Sequence, residues 1–164
     1  MPLGLVPSND RWDTRWFESL DTTGTFRKGE LVGFRAGYQL SVMSSAMSAY
    51  VGVALSASTA SIPVRGLNMV AVAIPLHGAC AWADVDTGVV ASAMSVGKKI
   101  TIQRAAAQGT TFFSFASTVM GEASRFSAHA QVMGPIDADL SRVEVAMNVE
   151  NCAFYSTSST TFAT

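Results

Sequence analysis

Apolar and polar positions alternate with a period of two through most of this chain, and glycines punctuate the alternation. Between Phe26 and Leu55 the sequence runs FRKGELVGFRAGYQLSVMSSAMSAYVGVAL. Leu31, Val32 and Phe34 form a short apolar run closed by the turn Arg35-Ala36-Gly37, and Tyr38 to Val42 alternates apolar with polar. After a connection rich in Ser, Met and Ala comes Tyr50 to Leu55, a tight β-branched segment that needs small residues on one face. Period-two alternation with glycine at the corners predicts a small antiparallel β-barrel or β-sandwich.

The pattern continues downstream. Ile62-Pro63-Val64 reads as an edge strand, because Pro63 has no N–H to give to a ladder. Leu67 to Leu76 reads as a long strand with Val70, Val72 and Ile74 on one side and Met69, Ala71 and Ala73 on the other. Apolar residues on both faces imply that both faces are covered. Gly78 to Trp82 is a short returning strand, 84–88 a turn, and 89–96 a single helical turn before a strand from Lys98 to Arg104 with Ile100 and Ile102 inward. Two more strands are expected within 111–116 and 126–132. The segment from Arg142 to Tyr155 closes the domain, with Val143, Val145, Met147 and Val149 alternating against outward residues that include Glu144 and Glu150. Such outward charges also suit an edge strand, which they protect from pairing.

The first 24 residues differ from the rest. Trp12, Trp16 and Leu20 recur at every fourth position behind Ser8-Asn9-Asp10, which fits a short amphipathic helix or turn. A segment so short must dock on something. Its aromatics either close the bottom of the chain's own barrel or anchor an arm on a neighbouring subunit, since tryptophan is enriched in interface hot spots. The expected organisation is an extended or short-helical N-terminal arm over 1–24, one mainly β domain over 25–155, and a Ser/Thr-rich tail over 156–164.

Composition sharpens this picture. The 164 residues are 49% hydrophobic but only 14% charged, against about 25% charged in a typical soluble domain. A surface covered largely by Ser, Thr, Ala and Gly suits packing against other protein. Net charge is −1, and no basic run exceeds Arg27-Lys28 or Lys98-Lys99, so the clustered positive footprint that nucleic acid needs is missing. The most apolar window, Leu67 to Ala83, carries Pro75, His77 and Gly78 and is too short for a membrane span. No signal peptide is evident at the N-terminus. Cys80 and Cys152 sit in apolar strand contexts and read as buried free thiols, with a disulfide left open.

Catalytic patterns are sparse. His77 and His129 read as hydrogen-bonded structural residues, and no His-x-His, Cys-x-x-Cys or Glu-x-x-His spacing occurs. Asp84 with Asp86, and Asp137 with Asp139, read as solvated turn acids without the ligand count of a calcium loop. Neither a Gly-x-Ser-x-Gly elbow nor a phosphate-cradling glycine loop is present. The reading is therefore not an enzyme, with no cofactor and no metal ion.

One larger pattern remains. Phe26, the basic pair Arg27-Lys28, Gly29, the acidic Glu30, Leu31-Val32, the glycine-containing hairpin and then Val51-Gly52-Val53-Ala54-Leu55 follow one another in order, and Ser95-Val96-Gly97-Lys98-Lys99-Ile100-Thr101-Ile102 opens a later strand. This order resembles the capsid cement (decoration) proteins of tailed bacteriophages, over roughly Thr25 to Ala105. The resemblance implies a structural virion protein made in the host cytoplasm. It would bind the outer capsid surface at capsomer junctions, often as a homotrimer, and lock the mature shell. Its partners would be the major capsid protein and its own copies, with no direct contact to nucleic acid or membrane. The family does not dictate contact residues, so chemistry selects them: Trp12, Trp16 and Phe17 as anchors, and Arg27, Lys28, Lys98 and Lys99 for acidic patches on the shell. The N-terminal segment and its Trp pair lie outside the resemblance. Alternatives are another virion β-domain (tail-tube, head-completion or fibre-base) and a small-molecule-binding barrel or enzyme.

Overall fold

The computed structural model describes residues 4–19, 26–35, 39–42, 49–84, 96–97, 99–100, 129–135 and 142–155. Their strands are β1 (Val6–Pro7), β2 (Trp12–Glu18), β3 (Leu31–Phe34), β4 (Leu40–Val42), β5 (Gly52–Ala54), β6 (Ile62–Val64), β7 (Leu67–Pro75), β8 (Cys80–Asp84), β9 (Lys99–Ile100), β10 (Ala130–Val132) and β11 (Arg142–Met147). They form two antiparallel sheets. The five-stranded sheet runs β1-β8-β11-β10-β9, and the six-stranded sheet runs β2-β7-β5-β3-β4 with β6 also paired to β7. The protein is mainly β and sandwich-like. The six-stranded sheet curls until Ser19 bridges Leu40 at a single point, but no closed barrel forms among the described residues.

β7 is the backbone of this sheet. Its nine residues pair with β2 along one edge and with β5 and β6 along the other. The β6–β7 hairpin turns on Arg65 and Gly66, whose φ values are +52° and +81°. Two positive φ values in a two-residue loop are what a type I′ turn requires, and its twist matches that of the strands it joins. Pro63 sits opposite Asn68 in this hairpin, on a strand at the sheet's margin, as its missing donor demands.

Both faces of the six-stranded sheet are covered, as the two-sided apolar pattern of β7 implies. One buried cluster lies between the sheets and includes Leu31, Tyr50, Val53, Ala73 and Ile74 from one side and Ala81, Ile100, Val132, Val143 and Val145 from the other. A second cluster fills the concave side of the curled sheet, with Phe26, Val32, Leu40, Val51, Val70 and Val72. Each such aliphatic side chain contributes about 1.5–3 kcal/mol by leaving water. Ile74 joins Ala73 in the inter-sheet cluster instead of following Val70 and Val72.

Three expectations are corrected. Residues 12–18 form a strand, not a helix. A spacing of four satisfies the two-residue period of a strand as well as the turn of a helix, and pairing with β7 over seven residues supplies backbone partners that an isolated short helix lacks. β11 is an interior strand flanked by β8 and β10, so its one glutamate, Glu144, does not guard an edge and instead accepts a hydrogen bond from the Ser8 hydroxyl at 3.0 Å; Glu150 lies beyond the strand. The alternation from Arg142 stops at Met147, where Val149–Asn151 turn as a 3-10 helix with the Asn148 side chain accepting from the Glu150 N–H. Of the expected helical turn over 89–96 only Val96 is described, and Ile102, the strand over 111–116 and the tail over 156–164 lie outside the described residues.

Candidate interaction surface

Register decides which side chains share a face, because residues directly opposite in a ladder point the same way. Trp12 lies opposite Pro75, Thr14 opposite Ala73, and Trp16 opposite Ala71. Met69 is flanked by Glu18 on one side and Ile62 on the other, and Leu67 lies opposite Val64. All of these stand on the face that Ala73 presents to the five-stranded sheet. Near Pro75 that face is buried between the sheets. Towards the β6–β7 hairpin it runs past its cover, and Trp16 (50%), Ile62 (51%), Val64 (45%) and Leu67 (46%) are exposed to solvent. The core face thus continues outward as an apolar overhang.

The tryptophan pair is divided by the same geometry. Trp12 packs against the inter-sheet cluster, and its indole N–H donates to the Cys80 carbonyl oxygen at 3.0 Å. It holds the two sheets together. Trp16, one helical turn away in a helix but two strand repeats away here, stands on the overhang. Phe17 points to the opposite face, where its ring meets Phe34 edge-on at 5.4 Å and lies 5.7 Å from Phe154.

The basic candidates occupy different sheets. Arg27 and Lys28 are exposed in the turn that leads into β3. That turn is held from inside by the buried Glu30, whose carboxylate accepts from the Arg27 backbone N–H at 2.8 Å. Lys99 is half-buried on β9, the terminal strand of the five-stranded sheet. Lys98 lies outside the described residues.

Lys99 lines a shallow cavity of about 240 Å³ with Gln131, Met147, Asn148 and Glu150. Its volume falls below the range of about 300–1,000 Å³ usual for small-molecule sites. His129 is buried with its ring edge-on to Tyr50 at 5.7 Å. His77 is exposed, 5.8 Å from the Tyr155 ring. Both cysteines are free thiols. Burial pushes the Cys152 thiol up to about 11, and its Sγ lies 3.4 Å from the Val51 carbonyl oxygen. Burial and the Glu144 carboxylate push Cys80 up as well. Among the described residues no three His, Cys, Asp or Glu side chains converge to hold a metal ion, and no helix is long and apolar enough to cross a membrane.

The overhang was only partly legible in the sequence. Trp16 stood out by residue type, whereas Ile62, Val64 and Leu67 read as ordinary strand residues. The available signal was their placement beside the Arg65-Gly66 turn, where a hairpin tip ordinarily turns polar. Comparison with known protein families and with curated proteins matches this chain to none of them.

Proposed function

We propose that the protein is a structural component of a bacteriophage virion: a cement protein that binds the outer surface of the head at capsomer junctions and stabilises the mature shell. The observation that carries this reading is the apolar overhang of Trp16, Ile62, Val64 and Leu67 on a chain with few charges. Contiguous exposed apolar side chains mark protein contact surfaces. The order of residues from Phe26 to Leu55 supports the same reading through its resemblance to the cement family. The major capsid protein is the partner, self-association as a trimer places three overhangs on one lattice site, and Arg27, Lys28 and Lys99 add peripheral attraction to acidic shell residues. A contact that exists only on the mature lattice stabilises that lattice by mass action.

Binding to purified mature shells lacking the protein tests this, read as bound mass against added mass. Saturation at a fixed ratio to shell subunits, lost on Leu67→Lys or Ile62→Asp, is the expected result. Stacked rings or tubes forming without shells would replace it with a tail component, and a chain indifferent to shells would end the virion reading.

A further inference from the structure

Among the described residues the backbone of β2 has one edge in use and one open. The Ser19 N–H donates to the Asn68 carbonyl at 2.8 Å, and the Arg11 carbonyl accepts from the Leu76 N–H at 2.9 Å. Odd-numbered residues of this segment thus aim their N–H and C=O groups at β7. Alternation sends those of Trp12, Thr14 and Trp16 to the other edge. The opposition of Trp12 to Pro75, which has no N–H, fits this phase. Among the described residues no strand pairs with that edge; only Ser19, beyond its end, meets Leu40. Thr14, Arg15 and Trp16 are exposed along it. An open edge of this length is a template for another strand.

The side chains on this edge are self-complementary. Trp12-Asp13-Thr14-Arg15-Trp16 reads the same in either direction, except that the two charges are opposite. We propose that β2 pairs antiparallel with β2 of a second copy of this chain, about a two-fold axis through Thr14. Thr14 then faces Thr14 of the second copy, and Trp12 faces Trp16 of the second copy in both directions. All are hydrogen-bonded positions, because these are the residues whose backbone groups point outward. Asp13 faces Arg15 of the second copy, and Arg15 faces Asp13, at the non-bonded positions where side chains come closest.

Charge and strand length together select this register over its neighbours. An axis through Arg15 or through Asp13 would set like charges against each other, and one through Trp16 would leave both charges without an opposite partner. One through Trp12 would set Asp13 opposite Arg11 of the second copy, but Arg11 precedes β2, so the two strands would overlap only at Trp12. Within one copy Arg15 Nε already lies 2.9 Å from Asp13 Oδ2, both side chains well exposed, so the pair is presented together on one face. Glu18 falls opposite Asp10 of the second copy, and this repulsion confines the ladder to Trp12–Trp16. Opposed residues share a face, so the two overhangs come to lie on the same side of a continuous sheet. A ladder this short buries less than the roughly 800 Å² per partner of a standard interface, so the dimer is weak. The pairing goes beyond the capsid reading: it forms or fails in solution whatever a shell does, and it leaves other surfaces free for a three-fold contact.

Sedimentation equilibrium of the full chain across a concentration series, up to about 100 µM, tests it. The expected result is a monomer–dimer equilibrium. Thr14→Pro removes an N–H on the open edge without touching the β7 ladder, and weakens dimerisation at least about tenfold. Asp13→Arg does the same by opposing two cations, and Asp13→Arg combined with Arg15→Asp restores the wild-type constant. Circular dichroism identical to wild type shows that each variant is folded; should Thr14→Pro fail to fold, the charge exchange decides alone. A wild-type chain that stays monomeric, a self-association of any size indifferent to Asp13→Arg, or a double exchange that fails to restore it would overturn the proposal.

Discussion

The Tyr50 hydroxyl donates to the Asn148 carbonyl oxygen at 3.0 Å, joining residues 98 positions apart. The Tyr50 backbone makes two more bonds to the same C-terminal segment, donating to the Asn151 carbonyl and accepting from the Ala153 N–H. Tyr50 thereby ties the approach to β5 to the turn that follows β11. Tyr50→Phe keeps the ring in the core and removes one buried donor, which is expected to cost about 1–2 kcal/mol. The urea midpoint should fall with the slope of the transition unchanged.

Gly52 lies under β7, where an added Cβ would stand 2.2 Å from the Ala73 carbonyl oxygen and 2.9 Å from Val72 Cγ1. The first obstacle is backbone in the middle of the sheet and cannot swing aside. Gly52→Ala should destabilise by about 3 kcal/mol, at the upper end of overpacking effects. Gly134→Ala, where a Cβ meets nothing within 4 Å, is the control, expected within about 0.5 kcal/mol of wild type on thermal denaturation.

Cys152 sets an alkaline limit on stability. Its thiol is raised from an ordinary value of 9.0 to about 11 by burial, so above pH 9 the unfolded chain releases a proton that the native state keeps. The stabilisation is complete below pH 9 and is lost as pH rises, at about 1 kcal/mol per unit, until the native thiol also ionises near 11. Tyr50, raised mainly by burial, acts in the same direction at higher pH. Cys152→Ser, whose hydroxyl does not titrate here, should flatten the fall in urea-derived stability between about pH 8.5, just below the titration window, and about pH 10.5, inside it. A fall of equal slope in the variant would remove Cys152 as its cause.

The two tryptophans should separate in stability. Trp12→Ala opens the inter-sheet cluster and leaves the Cys80 carbonyl with the Ser8 N–H but without the indole, at a cost of about 2–4 kcal/mol. Trp16→Ala removes an exposed ring and should change the melting free energy by less than about 0.5–1 kcal/mol. Equal losses would mean that Trp16 also belongs to the fold and not to a contact surface.

Much of the strand pattern was readable in advance because it depends on local chemistry. Leu31 to Phe34, Leu67 to Pro75 and Arg142 to Met147 alternate or run apolar as their burial requires. Pro63 marked its strand as marginal because a missing N–H cannot be supplied by any neighbour. What misled was the spacing of Trp12 and Trp16, which two periodicities share, and the charges of Glu144 and Glu150, which look alike whether a strand is at an edge or merely has a polar partner such as Ser8.

The sequence by itself determined a mainly β chain with two-sided strands, since period, turn glycines and proline act within a few residues of themselves. It also contained the self-complementary order Trp12-Asp13-Thr14-Arg15-Trp16, although not the fact that this order lies on an open edge. Only tertiary structure decided that Trp12 turns into the core while Trp16, on the same face, passes beyond the opposing sheet. Burial along one strand face depends on where the other sheet ends, and that is set by pairings between residues far apart in the chain.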